Sequence, residues 1–206
     1  KAASESIKRA IQENRKIPTT LFKRVAHEGV REALEKLSTA NISDGSHRAK
    51  GIAELYPLYP NMKIVGKAVT VRTYPGDWAK PVEAIDIAKE GDVIVIDAGG
   101  AGPAVWGELA THSALQKKIH GVVVWGAIRD VSEIRKLHFP AFTKMVMPSA
   151  GEPKGFGEIN IPITISGILV NPGDWILGDD DGLMVIPLPV ADVLINHGMD
   201  CLEREN

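Results

Sequence analysis

The sequence predicts one mixed α/β domain of 206 residues. Short β-branched runs alternate with helical patterns in the middle of the chain, which is typical of βαβ units. The last third consists of short strands separated by glycine-containing turns, and no segment repeats at a fixed period. Hydrophobic residues make up 44% of the chain, enough for a buried core at this length.

Charge and composition exclude several classes of partner. The formal net charge is -2 and lysine and arginine are not clustered, so neither a nucleic acid nor an anionic membrane is expected as a partner. No apolar run approaches the roughly 20 residues that span a bilayer, and the start of the chain lacks the apolar core of a secretion signal. The single cysteine, Cys201, cannot form an intrachain disulfide, which favours a reducing, cytoplasmic location. The chain begins at Lys1, which leaves open whether it was cut from a longer polypeptide.

The first third is predicted to be mainly helical. Residues 4–14 carry an apolar stripe at helical spacing, and a second helix is expected after Pro18. The apolar face of this second helix is formed by Leu21, Val25, Ala33, Leu34 and Leu37. A short turn or helix is expected at 43–45, and 56–60 is too rich in proline for regular structure.

The middle alternates between strands and helices. Strands are expected at 64–74, 92–97, 121–125 and 141–146, and helices at 79–90, 105–118 and 131–137. After Pro148 a loop at 151–157 precedes short strands at 161–165, 168–170, 175–177 and 183–186, and a last helix covers 189–203.

A glycine-rich turn, 99–102, separates a buried strand from the helix predicted at 105–118. The first amides of a helix lack intrahelical acceptors, so a carboxylate or phosphate is a natural ligand there. Such turns are common, and packing alone would also explain this one. A dinucleotide site is disfavoured, because the segment from Gly100 to Val105 lacks the third glycine and the strand ending in Trp125-Gly126 carries no acid for a ribose.

The spacing of one acid and an Arg-Asp pair is the main functional signal. Glu108 follows the glycine-rich turn, and after twenty intervening residues Arg129-Asp130 follows an apolar strand. Alone, an adjacent arginine and aspartate would be a surface ion pair of little energetic weight. Because ligands of open α/β sheets gather beyond the carboxyl ends of the strands, these side chains are expected to converge. A carboxylate for Mg²⁺ or Mn²⁺, a guanidinium for an anion and helix amides would together hold a small 2-oxo acid on a divalent metal.

Other residues have weaker functional interpretations. His112 lies four residues after Glu108 and could be a zinc ligand, although a structural hydrogen bond is the commoner role. Lys67 could form a Schiff base or simply extend from a strand edge. The acidic run 179–181 resembles the start of a calcium loop but lacks the later glutamate, so a turn is expected. Trp106 and Trp125 flank the proposed site and either line it or pack in the core.

At these residues the chain resembles the family that contains the regulator of ribonuclease activity A and the 4-hydroxy-4-methyl-2-oxoglutarate aldolases. The matching segments, in chain order, are Ser38-Thr-Ala-Asn-Ile-Ser-Asp44, Gly66-Lys-Ala-Val-Thr-Val71, Pro75-Gly-Asp77, Gly91-Asp-Val-Ile-Val-Ile-Asp97, Gly107-Glu-Leu-Ala110, Gly126-Ala-Ile-Arg-Asp130, Pro172-Gly-Asp174 and Gly178-Asp-Asp-Asp-Gly182. The ordered series is specific, whereas no single segment would be.

The resemblance implies a layered β/β/α sandwich of the swivelling-domain type. The family core would cover 38–206, and 1–37 would be an N-terminal helical extension of the same domain. The resemblance also implies a homotrimeric ring, which can stack as a hexamer. The family's site lies at a subunit boundary and can include an acid from the neighbouring subunit.

The resemblance further implies roles for individual residues. Asp130 would ligate the divalent metal, Mg²⁺ or Mn²⁺, and Glu108 would contact it through a bound water. Arg129 would contact the pyruvate portion of the substrate, and the amides of Gly107, Glu108, Leu109 and Ala110 would help to bind it. The expected activity is a metal-dependent (class II) aldolase that releases pyruvate from 4-hydroxy-2-oxo acids and also decarboxylates oxaloacetate. The alternative is a non-catalytic regulator, because some members of the family bind and inhibit a ribonuclease.

Overall fold

The computed structural model describes residues 29–205. The helix predicted at 4–14 and the start of the second helix lie outside these residues. The end of the second helix is present as Val30–Lys36, and Ala33, Leu34 and Leu37 are buried as its predicted apolar face.

Six helices and eleven strands are present in this range. The helices are α1 Val30–Lys36, α2 Thr39–Gly45, α3 Ala79–Ile87, α4 Glu108–Gln116, α5 Val131–Lys136 and α6 Ala191–Glu205, with a short 3-10 turn at Leu188–Val190. The strands are β1 Tyr56–Pro57, β2 Ile64–Arg72, β3 Val93–Asp97, β4 Ala104–Trp106, β5 Gly121–Ile128, β6 Ala141–Val146, β7 Glu158–Ile159, β8 Ile163–Ile165, β9 Ile168–Val170, β10 Trp175–Asp179 and β11 Gly182–Ile186.

The main sheet has nine strands and a parallel centre. Its order is β1-β6-β5-β3-β2-β10-β11, with β4 paired to β5 and β7 paired to β2. Strands β2, β3, β5 and β6 run parallel, and β10 and β11 return antiparallel at one side. The parallel strands therefore end at one edge of the sheet, where ligands of α/β proteins usually bind.

The two faces of the main sheet are covered by different layers. In β3, Ile94 and Ile96 pack on the side of helices α3, α4 and α5, whereas Val93 and Val95 pack towards the separate β8–β9 hairpin. Because side chains alternate along a strand, a strand covered on both faces is apolar throughout. This arrangement confirms the predicted layered β/β/α sandwich.

A third apolar cluster joins the ends of the described chain to the sheet. Helices α1, α2 and α6 pack against β10 and β11. The segment predicted as a short turn or helix at 43–45 is a full helix that begins at Thr39. Ser38 caps it by accepting a hydrogen bond from the Asn41 amide, and the Asn41 side chain accepts one from the Ser38 amide in return.

Two segments differ from their prediction in the kind of structure that they form. The helix expected at 105–118 begins only at Glu108, because Ala104–Trp106 pairs with β5 as a strand and Gly107 is fully extended. Tyr56–Pro57, predicted to be irregular, forms a two-residue strand against β6. Proline is tolerated there because β1 lies at the edge of the sheet, where its missing N–H is not needed. None of the helices in 29–205 is long and apolar enough to cross a membrane.

Candidate functional site

Two neighbouring parallel strands bring the predicted site residues together. Trp106 at the end of β4 pairs with Ile128 at the end of β5. The Arg129 amide donates a hydrogen bond to the Trp106 carbonyl at 3.0 Å. The residues that follow each strand, Glu108 on one side and Asp130 on the other, therefore start their helices side by side.

Asp130 is the central residue of this arrangement. Its backbone is left-handed, with φ 59° and ψ 33°, a conformation that aspartate and asparagine adopt more readily than other non-glycine residues. Its Oδ2 accepts a hydrogen bond from the Glu108 amide at 3.2 Å and lies 3.6 Å from Arg129 Nε. The carboxylate is thus held at the start of α4 while remaining partly exposed to solvent.

Gly107 provides the space that this contact needs. A Cβ on Gly107 would lie 2.7 Å from Asp130 Oδ2 and 3.3 Å from Arg129 Cγ. Since φ at Gly107 is -162°, the requirement for glycine is one of close approach and not of backbone conformation. The structure gives Gly107 a steric function that the sequence pattern does not indicate.

A hollow of about 320 Å³ opens at this point, and we call it the site hollow. It is lined by Trp78, Val82, Ala104, Val105, Trp106, Gly107, Glu108, Leu109, Ala110, Arg129, Asp130, Ala150 and Gly151. All the residues predicted for catalysis, substrate binding and metal binding are on this list. Leu109 is 81% exposed despite its apolar side chain.

Glu108 joins the site through two different groups. Its amide contacts Asp130, whereas its carboxylate Oε1 lies 3.5 Å from His112 Nε2, one turn further along α4. The predicted i,i+4 pair of Glu108 and His112 is therefore present. In the described part of the chain, no group of three or more His, Cys, Asp or Glu residues could hold a metal, so neither His112 nor Asp130 belongs to such a group.

The donor set fits a hard divalent cation better than zinc. Mg²⁺ commonly keeps several waters and binds through one or two carboxylates, and a structural zinc site needs four protein ligands. Asp130 presents one partly exposed carboxylate, and Glu108 lies at the same hollow. These residues are compatible with Mg²⁺ or Mn²⁺ held largely by water.

The two tryptophans have different roles. Trp106 is buried, stacks on Phe139 at an interplanar angle of 9° and donates from Nε1 to Thr111 Oγ1, yet it also lines the site hollow. Trp125 does not line this hollow, and instead lies under Lys144, whose Nζ is 4.2 Å from the ring centroid. Of these two tryptophans, Trp106 alone lines the site hollow, which Trp78 also lines.

Two further sequence candidates lie elsewhere. Lys67 is exposed on β2, and its Nζ lies 5.6 Å from the Trp175 ring centroid. The acidic run forms the turn between β10 and β11. There Asp179 accepts hydrogen bonds from the amide and hydroxyl of Thr39, and Asp180 accepts one from the Asn61 amide. Neither candidate contributes to the site hollow.

Asp77 is a residue whose importance the sequence did not indicate. It lies on the turn before α3 and is buried, and its carboxylate accepts four backbone hydrogen bonds, from the amides of Ala79, Lys154, Gly155 and Phe156. Burial by itself would raise the pKa of this carboxyl, but the four amides outweigh it and hold the pKa below its usual value. Asp77 therefore anchors the loop 151–157 beside the site.

We expect the substitution Asp77→Asn to destabilise the chain by about 2 kcal/mol at neutral pH, because an amide cannot accept four N–H bonds. The pKa of the Asp77 carboxyl is lower in the folded chain than in the unfolded chain. Asp77 therefore contributes its whole stabilisation to the free energy of unfolding above the unfolded pKa, and this stabilisation is lost as the pH falls through the folded pKa. Urea denaturation at pH 7 and at pH 3.5 should show a difference between parent and variant that shrinks in acid. The exposed Asp86→Asn is the control, and a difference independent of pH would contradict the role given to Asp77.

Comparisons with known proteins support the fold and identify the family. Residues 39–185 match the RraA-like family, described as Aldolase/RraA. The chain is 37% identical over 175 residues to an uncharacterized protein of Methanocaldococcus jannaschii, covering 84% of this chain and 83% of that protein. It is 31% identical over 132 residues to the 4-hydroxy-4-methyl-2-oxoglutarate aldolase of Thermus thermophilus, covering 64% and 80% respectively.

Relatives also differ in length and in named activity. The chain is 36% identical over 175 residues to protein DlpA of Legionella pneumophila, covering 80% of this chain but only 28% of that protein. Among solved structures, the RNA-processing inhibitor RraA from Thermus superposes with a TM-score of 0.68 at 28% identity, covering 73% of this chain and 92% of that chain. The family match spans well over half of the sequence, and the chain therefore belongs to the Aldolase/RraA family.

Proposed function

We propose that the chain is a divalent-metal-dependent lyase of the pyruvate-aldolase type. It would cleave 4-hydroxy-2-oxo acids to pyruvate and decarboxylate oxaloacetate. One observation carries the proposal: the carboxylate of Asp130, the guanidinium of Arg129 and the first turn of α4 line one hollow. Its volume, about 320 Å³, suits a small ligand.

Asp130 would hold the cation, with Glu108 contacting it through water. When bound, Mg²⁺ or Mn²⁺ would act as a Lewis acid that polarises the carboxylate and keto oxygens of the substrate. This assignment is supported by the partly exposed position of the Asp130 carboxylate and by its fixed contact with the start of α4.

The remaining groups bind the substrate and stabilise charge. Arg129 offers two parallel N–H donors to the substrate carboxylate or to the developing enolate oxygen. The amides of Leu109 and Ala110 lie in the first turn of α4, where no intrahelical acceptor exists, and they add positive potential. Such donors, fixed before the reaction, stabilise an oxyanion more than water does.

Cleavage requires that the C4 hydroxyl of the substrate lose its proton, and Glu108 would assist this step. Glu108, at the rim of the site hollow, would orient a water that accepts the proton of the substrate's C4 hydroxyl. The C3–C4 bond breaks, C4 becomes a carbonyl, and the electron pair remains on C3 as a pyruvate enolate. Decarboxylation of oxaloacetate leaves the same enolate, so one set of groups would serve both reactions.

The proposal predicts pyruvate release from oxaloacetate and from 4-hydroxy-2-oxo acids in the presence of Mg²⁺ or Mn²⁺. Excess EDTA should abolish it, and added Mg²⁺ should restore it. Coupling to lactate dehydrogenase measures the rate. Turnover that is unchanged by EDTA, or no turnover of any 2-oxo acid with either metal, would contradict the proposal.

Gly107→Ala should lower kcat by roughly ten-fold to a hundred-fold, because the new methyl group forces the Asp130 carboxylate away from the Glu108 amide. Gly107 is extended, so alanine adds no backbone strain and Tm should change little. A matched control is Gly167→Ala, on the β8–β9 hairpin, where a Cβ would have nothing within 4 Å. Its positive φ of 78° makes alanine strained there, so this control should lose stability and keep activity. Full activity of the Gly107→Ala protein would contradict the proposed steric role of this glycine.

A second candidate function is a protein-binding regulator without chemistry. It is favoured by the structural likeness to the RNA-processing inhibitor RraA from Thermus. A pull-down from lysate with the parent chain and with Arg129→Ala separates the two functions. Partner binding that survives Arg129→Ala, in a chain without lyase activity, would support the regulator.

We also propose that the chain forms a homotrimer or a hexamer, as the family resemblance implies. The apolar side chains of Leu109 and Val82 are exposed at the site hollow. Their exposure supports a subunit interface that would cover this surface in the assembly. Light scattering coupled to size exclusion gives the mass, and a monomer at micromolar concentration would contradict this assembly.

A further inference from the structure

A second hollow of about 500 Å³ lies beside the site hollow, and we call it the side hollow. It is lined by Tyr74, Pro75, Gly76, Asp77, Pro103, Gly151, Glu152, Lys154 and Phe156. None of these residues except Gly151 lines the site hollow. The proposed chemistry therefore leaves this larger space unused.

The two hollows adjoin along three chain segments. Asp77 and Pro103 line the side hollow, and the next residue in each segment, Trp78 or Ala104, lines the site hollow. Gly151 lines both hollows. The Gly151 backbone forms the boundary, fixed by a hydrogen bond from Trp78 Nε1 to its carbonyl at 3.1 Å. A Cβ on Gly151 would collide with the Gly76 backbone, so the boundary carries no side chain.

The wall of the side hollow presents two aromatic rings to solvent. Tyr74 is 64% exposed and Phe156 is 57% exposed, and their ring centroids lie 5.9 Å apart at 82°. Exposed aromatic rings that lie side by side form an apolar patch, and such patches are one kind of surface at which ligands bind. The prolines Pro75 and Pro103 extend the apolar lining.

The backbone that carries Phe156 is fixed in advance. Its amide donates to Asp77 Oδ2 at 2.8 Å, and the amides of Lys154 and Gly155 donate to Asp77 Oδ1. Rigid walls reduce the ordering cost of binding. The charged side chains that line the hollow are Asp77, Glu152 and Lys154, two acids and one base, so the hollow has no net positive charge to select a second carboxylate.

We infer that the side hollow is the subsite for the C4 substituent of the substrate, and that this substituent is an aryl or bulky apolar group. This inference rests on the proposed lyase function. The 2-oxo acid end would lie at Arg129 and Asp130, and the C4 group would pass over Gly151 to the rings of Tyr74 and Phe156. Cleavage breaks C3–C4, leaves the electron pair on C3, which is then protonated to give pyruvate, and releases the C4 part as an aldehyde.

Three substrates test the inference on the full chain with Mg²⁺. 4-Hydroxy-2-oxo-4-phenylbutanoate should be cleaved to benzaldehyde and pyruvate with a kcat/KM roughly ten-fold to a hundred-fold above that of 4-hydroxy-2-oxopentanoate. Tyr74→Ala and Phe156→Ala should each remove most of this preference, whereas Phe156→Tyr should keep it. Oxaloacetate has no C4 side group of this kind, so the parent chain and all three variants should decarboxylate it at the same rate. Equal rates would show that the variants are folded.

The control variant is Tyr56→Ala. Tyr56 is exposed to the same extent as Tyr74 but lies on the edge strand β1, outside both hollows, so its loss should leave the preference unchanged. Oxaloacetate turnover without any preference for the phenyl substrate would overturn the subsite and leave the lyase function standing. A preference that survives both alanine variants would also overturn it. Turnover of none of the three substrates would instead overturn the lyase function, and the subsite with it.

Discussion

Asp130→Asn should reduce pyruvate release from oxaloacetate by roughly three orders of magnitude, because it removes the carboxylate that we propose holds the metal ion and with it several kcal/mol of charge stabilisation. Asparagine has nearly the same shape and tolerates the left-handed backbone of residue 130. Tm should therefore stay close to that of the parent. The measurement is the initial rate at saturating Mg²⁺, with circular dichroism as the check on folding.

Asp86→Asn is the matched control for this substitution. Asp86 lies on α3 in an exposed ion pair with Lys117 at 3.8 Å, and such pairs contribute little. Its rate should equal that of the parent. If Asp130→Asn also kept the parent rate, the metal-dependent mechanism would have to be abandoned.

Arg129→Lys should lower kcat/KM for oxaloacetate by about a hundred-fold. Lysine keeps the positive charge but loses the planar pair of donors that matches a carboxylate or an enolate. If Arg129 acts on the enolate, the loss appears in kcat as well as in KM, whereas a residue that only binds substrate would change KM alone. Steady-state kinetics at several Mg²⁺ concentrations separates these outcomes.

Arg48→Lys provides the comparison, since Arg48 lies on the loop after α2 and does not line the site hollow. It should leave both constants unchanged. An Arg129→Lys protein with parental kcat and KM would show that the guanidinium takes no part in the reaction.

The convergence of the site could be predicted from sequence, but its atomic contacts could not. The spacing from Glu108 to Arg129-Asp130 and the buried strand before Arg129 correctly placed all three residues at one hollow. The sequence predicted that the side chains of Glu108, Arg129 and Asp130 converge, without saying which atoms would be in contact. The contact joins the Glu108 amide to the Asp130 carboxylate, since the left-handed backbone of Asp130 turns its side chain towards Gly107.

Two features of the structure, the short strand β4 and the long-range hydrogen bonds of Asp77, could not be predicted from the sequence. Strand β4 has three residues, too few for an alternating pattern, and Val105-Trp106 fits the start of a helix equally well. The Pro75-Gly76-Asp77 turn was visible in the sequence. Its role was not, because three of the four amides that Asp77 binds lie more than seventy positions later in the chain.

The most direct test of the account is the binding of Mn²⁺ with and without oxalate, a planar dianion that resembles the pyruvate enolate. Calorimetry on the parent chain should show that oxalate tightens Mn²⁺ binding by about ten-fold or more, since both ligands would meet at Asp130 and Arg129. Asp130→Asn should lose this coupling. Coupling that persists undiminished in Asp130→Asn would place the cation and the 2-oxo acid elsewhere and contradict the account.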